Sequence, residues 1–192
     1  MSVIGYKFRA DGSLIGFDVS MEGLESDLLP ANDPAVAAVL LARERASAQR
    51  RTTVFANTIR ERIASSKHYL QAARWSIQLA SAQAVKAGAA TAFDTAVLER
   101  EARNRELGES VEQLADKVIA NSLIFASVGA AVDGIERATL DRVAACTEVA
   151  GFEAILTAAK AKALAEFLDI FTPFYGLEGA QARAAQFFSP GA

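Results

Sequence analysis

No glycine and no proline interrupts the chain between Ala35 and Ala87. These residues end helices, glycine by its backbone freedom and proline by its missing N–H. The stretch is rich in Ala, Arg, Gln, Glu and Leu, all good helix formers. Asp33 can cap its start, Pro34 fits the first turn, and Gly88 can close its end. The β-branched Thr52, Thr53 and Val54 lower its propensity only slightly. The pattern predicts one continuous helix over 35–87, roughly 80 Å long at about 1.5 Å per residue. A compact domain of 192 residues needs nothing so long. Such a helix spans a distance or joins an assembly.

Within it, Ile59, Ile63, Ser66, Leu70, Ala73, Ile77, Ala80 and Ala84 alternate steps of four and three, the spacing of a heptad seam. Large residues on one track and small ones on the other favour close helix approach. The seam serves either an antiparallel pair within the chain or a coiled coil between copies. Ile59, Ile63, Leu70 and Ile77, with Trp75 beside them, form the predicted interaction seam. The stripe is expected to be buried.

The flanking segments differ. Residues 3–19 alternate apolar and polar around Asp11-Gly12, which predicts a β-hairpin. Two strands alone are marginal in water. The hairpin must therefore pack on helices or lend its open edge to another chain, with Tyr6, Phe8 and Phe17 as docking residues. Residues 20–33 read as a sticky connector. After Gly88, a charged helix is expected over about 94–107, closed by Gly108. Ser110 and Gln113 form a capping box for the next helix. Its stripe is Val111, Leu114, Val118, Asn121, Phe125, Val128, Val132 and Ile135, with Asn121 as a register-fixing polar member and Gly129 and Gly134 weakening the helix or allowing a close crossing. Thr147 can cap a further helix, lined by Val149, Phe152, Leu156, Ala159, Ala163, Phe167 and Ile170, which Thr172-Pro173 stops. A short helix over about 178–188 follows, and Phe187 and Phe188 make the tail a second docking element.

The fold class is therefore mainly α: a long-helix bundle or coiled coil with a small N-terminal β-hairpin. The expected organisation is a hairpin and connector over 1–33, a long-helix bundle over 34–172, and an aromatic tail over 173–192. Much of the apolar content is alanine, which predicts a thin core of closely packed helices.

The net charge of -3 argues against nucleic acid as a partner. One local exception, Arg43, Arg45, Arg50, Arg51, Arg60 and Arg62 against Glu44 and Glu61, is either a solvated helix face or a dock for an acidic surface. The single cysteine, Cys146, excludes an internal disulfide and reads as a buried thiol of unassigned role. No N-terminal signal pattern is present, and the uninterrupted apolar runs are too short for a bilayer, so no membrane partner is expected.

No chemistry-bearing constellation emerges. His68 is the only histidine and has no carboxylate at helical spacing to orient it. Glu-x-x-His pairs, Cys/His clusters, and the glycine-rich and Walker phosphate patterns are lacking. The chain is read as non-enzymatic, with no catalytic, metal or cofactor site, no cofactor and no small-molecule substrate.

One stretch carries a resemblance. A charged helix from Leu98 leads to Gly108, then Ser110-Val111-Glu112-Gln113-Leu114-Ala115-Asp116-Lys117-Val118-Ile119-Ala120. Ile135-Glu136-Arg137, Ala144-Ala145-Cys146-Thr147 and Phe152-Glu153-Ala154-Ile155 follow. This resembles the helical segments of small accessory proteins encoded in the tail modules of tailed bacteriophages. About a third of the chain is covered, and no functional residue is carried over. The resemblance implies a virion or tail-assembly context, assembled in the host cytoplasm. The expected function is a structural component of a phage particle (tail, neck, baseplate or fibre attachment), with other virion proteins and copies of itself as partners. The alternatives are a tail or tail-fibre assembly chaperone and a cellular helical adaptor.

Overall fold

The computed structural model describes residues 5–17, 28–65 and 69–188. The fold is mainly α, with a two-stranded antiparallel sheet near the N-terminus. The elements are β1 (Gly5–Phe8), β2 (Leu14–Phe17), α1 (Pro34–Ser65), α2 (Tyr69–Lys86), α3 (Ala92–Arg105), α4 (Val111–Ala145) and α5 (Gly151–Phe188). They divide into two compact units: residues 1–53 with 138–158, and residues 54–137 with 159–192. The division cuts across α1, α4 and α5, and so does not follow the hairpin, bundle and tail order read from the sequence.

In the first unit the hairpin pairs Gly5 with Phe17 and Phe8 with Leu14. Gly12 takes the left-handed conformation at its turn (φ 79°), and Asp11 accepts from the backbone N–H and the hydroxyl of Ser13. The outer edge of β1 is not open. Tyr6 and Leu29 exchange two backbone hydrogen bonds, each 2.8 Å. Gly5 permits this, because a Cβ there would stand 2.8 Å from the Cβ of Leu28. Asp33 caps α1, accepting from the N–H of Ala35 at 2.9 Å. The core of this unit is Ala48, Val143, Phe152 and Leu156, with Leu41, Cys146 and Ile155 at its margin. Thr147 does not cap α5. The helix starts four residues later, leaving Val149 exposed. Gly151 is needed there, since a Cβ would meet the Cys146 sulfur at 2.7 Å. Cys146 itself is only half-buried.

The predicted helix over 35–87 is helical over Pro34–Ser65 (α1) and Tyr69–Lys86 (α2); continuity through residues 66–68 lies outside the described residues. The two do not follow α4 as one straight rod. Arg60 bonds Asp133 and Glu136, and the Trp75 ring lies tilted against Phe125, with 4.7 Å between ring centres. Fifteen residues separate Arg60 from Trp75, but only eight to eleven separate their partners on α4. Equal rise per residue forbids that match along two straight antiparallel helices. Farther on, Lys86 reaches Asp116 and the count is again nearly even.

The buried stripe of α4 also departs from the heptad. Leu114, Val118, Ile124, Val128, Val132 and Ile135 are buried, whereas Asn121 is exposed. A straight helix turns every 3.6 residues and drifts away from a 3.5-residue seam. Past Val118 the drift turns Asn121 to solvent and brings Ile124 inward. Gly129 and Gly134 make no close crossing, for a Cβ at either would meet nothing within 4 Å.

Pro173 does not stop α5. Thr172 donates its hydroxyl to the Leu168 carbonyl at 2.6 Å, and the helix continues until Gly176 (φ 69°, ψ 171°) turns the chain back. The returning segment buries Ala180 and Ala184 and sets Phe187 and Phe188 against Phe167, at 5.3 and 5.4 Å between ring centres. Phe167 also meets Phe171 edge-on at 6.0 Å. Ile59, Ile124, Val128 and Val132 complete this core.

Two substitutions check this packing. Phe167→Ala removes a fully buried ring and is expected to cost about 3–5 kcal/mol in urea unfolding. Gly129→Ala fills open space on a helix and is expected to stabilise by about 0.5–1 kcal/mol in the same measurement.

Candidate functional site

A concave surface lies between α2 and α3. The turn joining these helices is built from local signals. Gly88 (φ 67°) closes α2 as the sequence predicts, with the Gly88 N–H donating to the Val85 carbonyl and that of Ala89 to the Ala84 carbonyl. Thr91 then caps α3. Its hydroxyl accepts from the Asp94 N–H, while the Asp94 carboxylate accepts from the Thr91 N–H and hydroxyl. The nearly buried Ser81 of α2 donates its hydroxyl to the same carboxylate at 2.8 Å, so one side chain fastens both helices. Behind them Ala82, Leu98, Ala102, Leu114, Ala115 and Val118 form a core shared with α4. The small residues let backbones approach. The helix read as charged nearly throughout therefore buries Leu98 and Ala102, and Glu106 in the left-handed conformation (φ 54°), not Gly108, ends it.

The outer face of this pair is a groove of about 690 Å³. Trp75, Phe93, Ala96 and Val97 supply its apolar lining, and Arg74, Arg100, Arg105 and Glu101 its charge. Phe93 is 64% exposed. Gln78 of α2 donates to Glu101 of α3 across the groove. Arg105 pairs with Glu109, whose carboxylate is also held by Lys117. Phe93, Arg74 and Arg100 carry no motif, and sequence reading passed over them.

The predicted seam residues do not share one buried face. Ile59 is buried and Ile63 packs against the same core. Ile77 is 50% exposed, so the stripe does not stay buried along α2 within the chain. The side chains of Ser66, Leu70 and Ala73 lie outside the described residues, as does His68. Trp75 is half-buried, between Phe125 and the groove. Of the docking residues, Tyr6 and Phe8 are half-buried, and the Phe17 side chain lies outside the described residues. Phe187 and Phe188, expected to seek a neighbour, are half-buried on their own chain.

Of the arginine-rich run, Arg43 and Arg50 are exposed, and four other members have partners within the chain. Arg45 donates to the Cys146 carbonyl at 2.9 Å, beyond the last residue of α4. Arg51 pairs with Glu153. Arg60 joins Asp133 and Glu136, and holds the Asp133 carboxyl below its ordinary range. Arg62 donates to the Phe187 carbonyl at 2.7 Å, at the end of α5. Two of these are cations placed at helix C-termini, where the carbonyls lack partners and the dipole is negative.

Among the described residues no three His, Cys, Asp or Glu side chains gather as a metal site. By length and composition α4 is long and apolar enough to cross a membrane. Isolated polar residues divide this window into the shorter apolar runs read from the sequence. Comparison with protein-family models, characterised proteins and solved structures gives no match.

The Asp94 knot has a pH signature. The Thr91 hydroxyl, the Thr91 N–H and the Ser81 hydroxyl hold its carboxyl below the usual range, in that order of effect. A lowered folded-state value means that ionised Asp94 favours the fold above the unfolded carboxylate value of about 3.9. This contribution is lost as pH falls through the lowered value. Melting temperatures from pH 7 to pH 3 are expected to fall less steeply in Asp94→Asn than in the parent, from a lower starting point.

Proposed function

We propose that this chain is a non-enzymatic structural protein that assembles through exposed helix faces, and that it serves in a tailed-phage particle. The surface of α4 carries the assembly part of this reading. An 18-residue stretch of that helix is apolar enough for a membrane, yet only 22% of it is buried. Leu123 is 57% exposed, and Ala126, Ala130 and Gly134 continue its side of the helix in exposed positions. A small-residue apolar face of this kind suits close approach by another helix. The same helix pairs Asp133 and Glu136 with Arg60, a contact that suits a helix packed in protein more than one facing lipid. Val54, Ile77, Leu107, Leu164 and Leu177 add further exposed apolar side chains. The phage context rests on the resemblance over Leu98 to Ile155.

Sedimentation velocity at micromolar concentration is expected to find an oligomer. Leu123→Glu is expected to reduce it to a smaller species while leaving helical circular dichroism unchanged, because the side chain is exposed. A parent protein that sediments as a monomer would overturn the assembly reading. Mass spectrometry of purified particles tests the context: presence in particles supports a structural part, and presence in lysate alone supports the chaperone alternative.

A further inference from the structure

The α2–α3 groove is a formed surface that packing along α4 leaves unused. Its volume of about 690 Å³ falls within the ordinary range of binding pockets, about 300–1,000 Å³. Its lining is aromatic and aliphatic, through Trp75, Phe93 and Val97. Its charge is positive: three arginines stand against Glu101, and Glu101 is engaged by Gln78. Arg105 is partnered by Glu109, but Arg74 and Arg100 have no ion pair among the described residues. An exposed phenyl ring beside two unpaired guanidinium groups fits a ligand that is acidic and apolar together.

The chain contains a segment with that chemistry. Residues 18–27 carry Asp18, Glu22, Glu25 and Asp27, no lysine or arginine, and the apolar Val19, Met21 and Leu24. Its flanks belong to the sheet: Phe17 ends β2, and Leu29 bonds Tyr6 of β1. We propose that the groove receives residues 18–27 of a second copy, with Met21 and Leu24 on the Trp75–Phe93 lining and the carboxylates at Arg74 and Arg100. Groove and segment are different surfaces, so the contact is heterologous and joins copies head to tail. Closure into a ring or growth into a filament is then set by the rotation between copies. The inference rests on the assembly reading above and names a second, separable contact.

A fluorescein-labelled peptide of residues 17–28, titrated with the full chain, is expected to bind and to weaken as salt is raised. Arg74→Glu with Arg100→Glu is expected to weaken it roughly tenfold or more. In sedimentation, that groove variant and a segment variant, Glu22→Arg with Glu25→Arg, should each lose this head-to-tail part of the self-association while the α4 contact remains. An equimolar mixture should regain it, since reversed charges then meet in trans. No binding by the parent, equal binding by the groove variant, or a scrambled peptide binding as well as the native one overturns the proposal. So does a mixture that fails to reassociate. Peptide binding with self-association intact in both variants also overturns it, and leaves the groove to an acidic segment of another protein. If Leu123→Glu abolishes assembly while both charge variants keep it, the α4 reading stands and the groove contact falls.

Discussion

Phe167 is fully buried and touched by three other rings, and much of the second unit is arranged around it. Several of the residues in its core are small. Ala56, Ala180 and Ala184 are at or near zero exposure in the same core. Alanine contributes little apolar area, so helices lined with it must approach closely, and the few aromatic residues supply much of the buried surface. This explains why the C-terminal segment folds back at Gly176. Turning there delivers Phe187 and Phe188 to the one place where their area is covered, and Arg183 lies over the Tyr175 ring at 3.8 Å beside the turn.

Local chemistry was legible in the sequence where it is self-contained. The Ser110–Gln113 box forms as written, with Ser110 N–H donating to the Gln113 side chain at 2.9 Å and Gln113 N–H to the Ser110 hydroxyl at 3.2 Å. Gly88, Asp33 and the Asp11-Gly12 turn likewise act within a few residues. What failed was extrapolation along a helix. A heptad count places Asn121 on the buried face and keeps Ile77 in line with Ile59, but a real helix drifts against that count. Pro173 misled for a related reason: a proline removes one hydrogen bond, and the helix continues to Gly176. The groove was least legible. Trp75 was noticeable as the only tryptophan, but Arg74, Phe93 and Arg100 become one surface only through the pairing of α2 with α3.

The arginines and the apolar residues exchange the roles that composition suggests. The basic run on α1 looks like a surface for partners, yet four of its members bond carbonyls and carboxylates of α4, α5 and the turn between them. The apolar run of α4 looks like a core, yet only 22% of its apolar window is buried. Guanidinium groups satisfy helix ends that the thin core leaves open, and apolar side chains are left where there is too little chain to cover them.

The core of the first unit has a consequence for synthesis. Ala48 lies against residues of 143–156, about a hundred positions later. The hairpin and the first turns of α1 emerge from the ribosome first, but the residues that bury Ala48 follow only after about 5–20 s at ordinary elongation rates. Contacts so distant in sequence also close slowly once available. By contrast, the α2–α3 pair and the Gly176 turn are local and complete themselves within moments of emergence. The oldest part of the nascent chain thus waits long for its cover, and for that interval its leucines and valines stand open to chaperones.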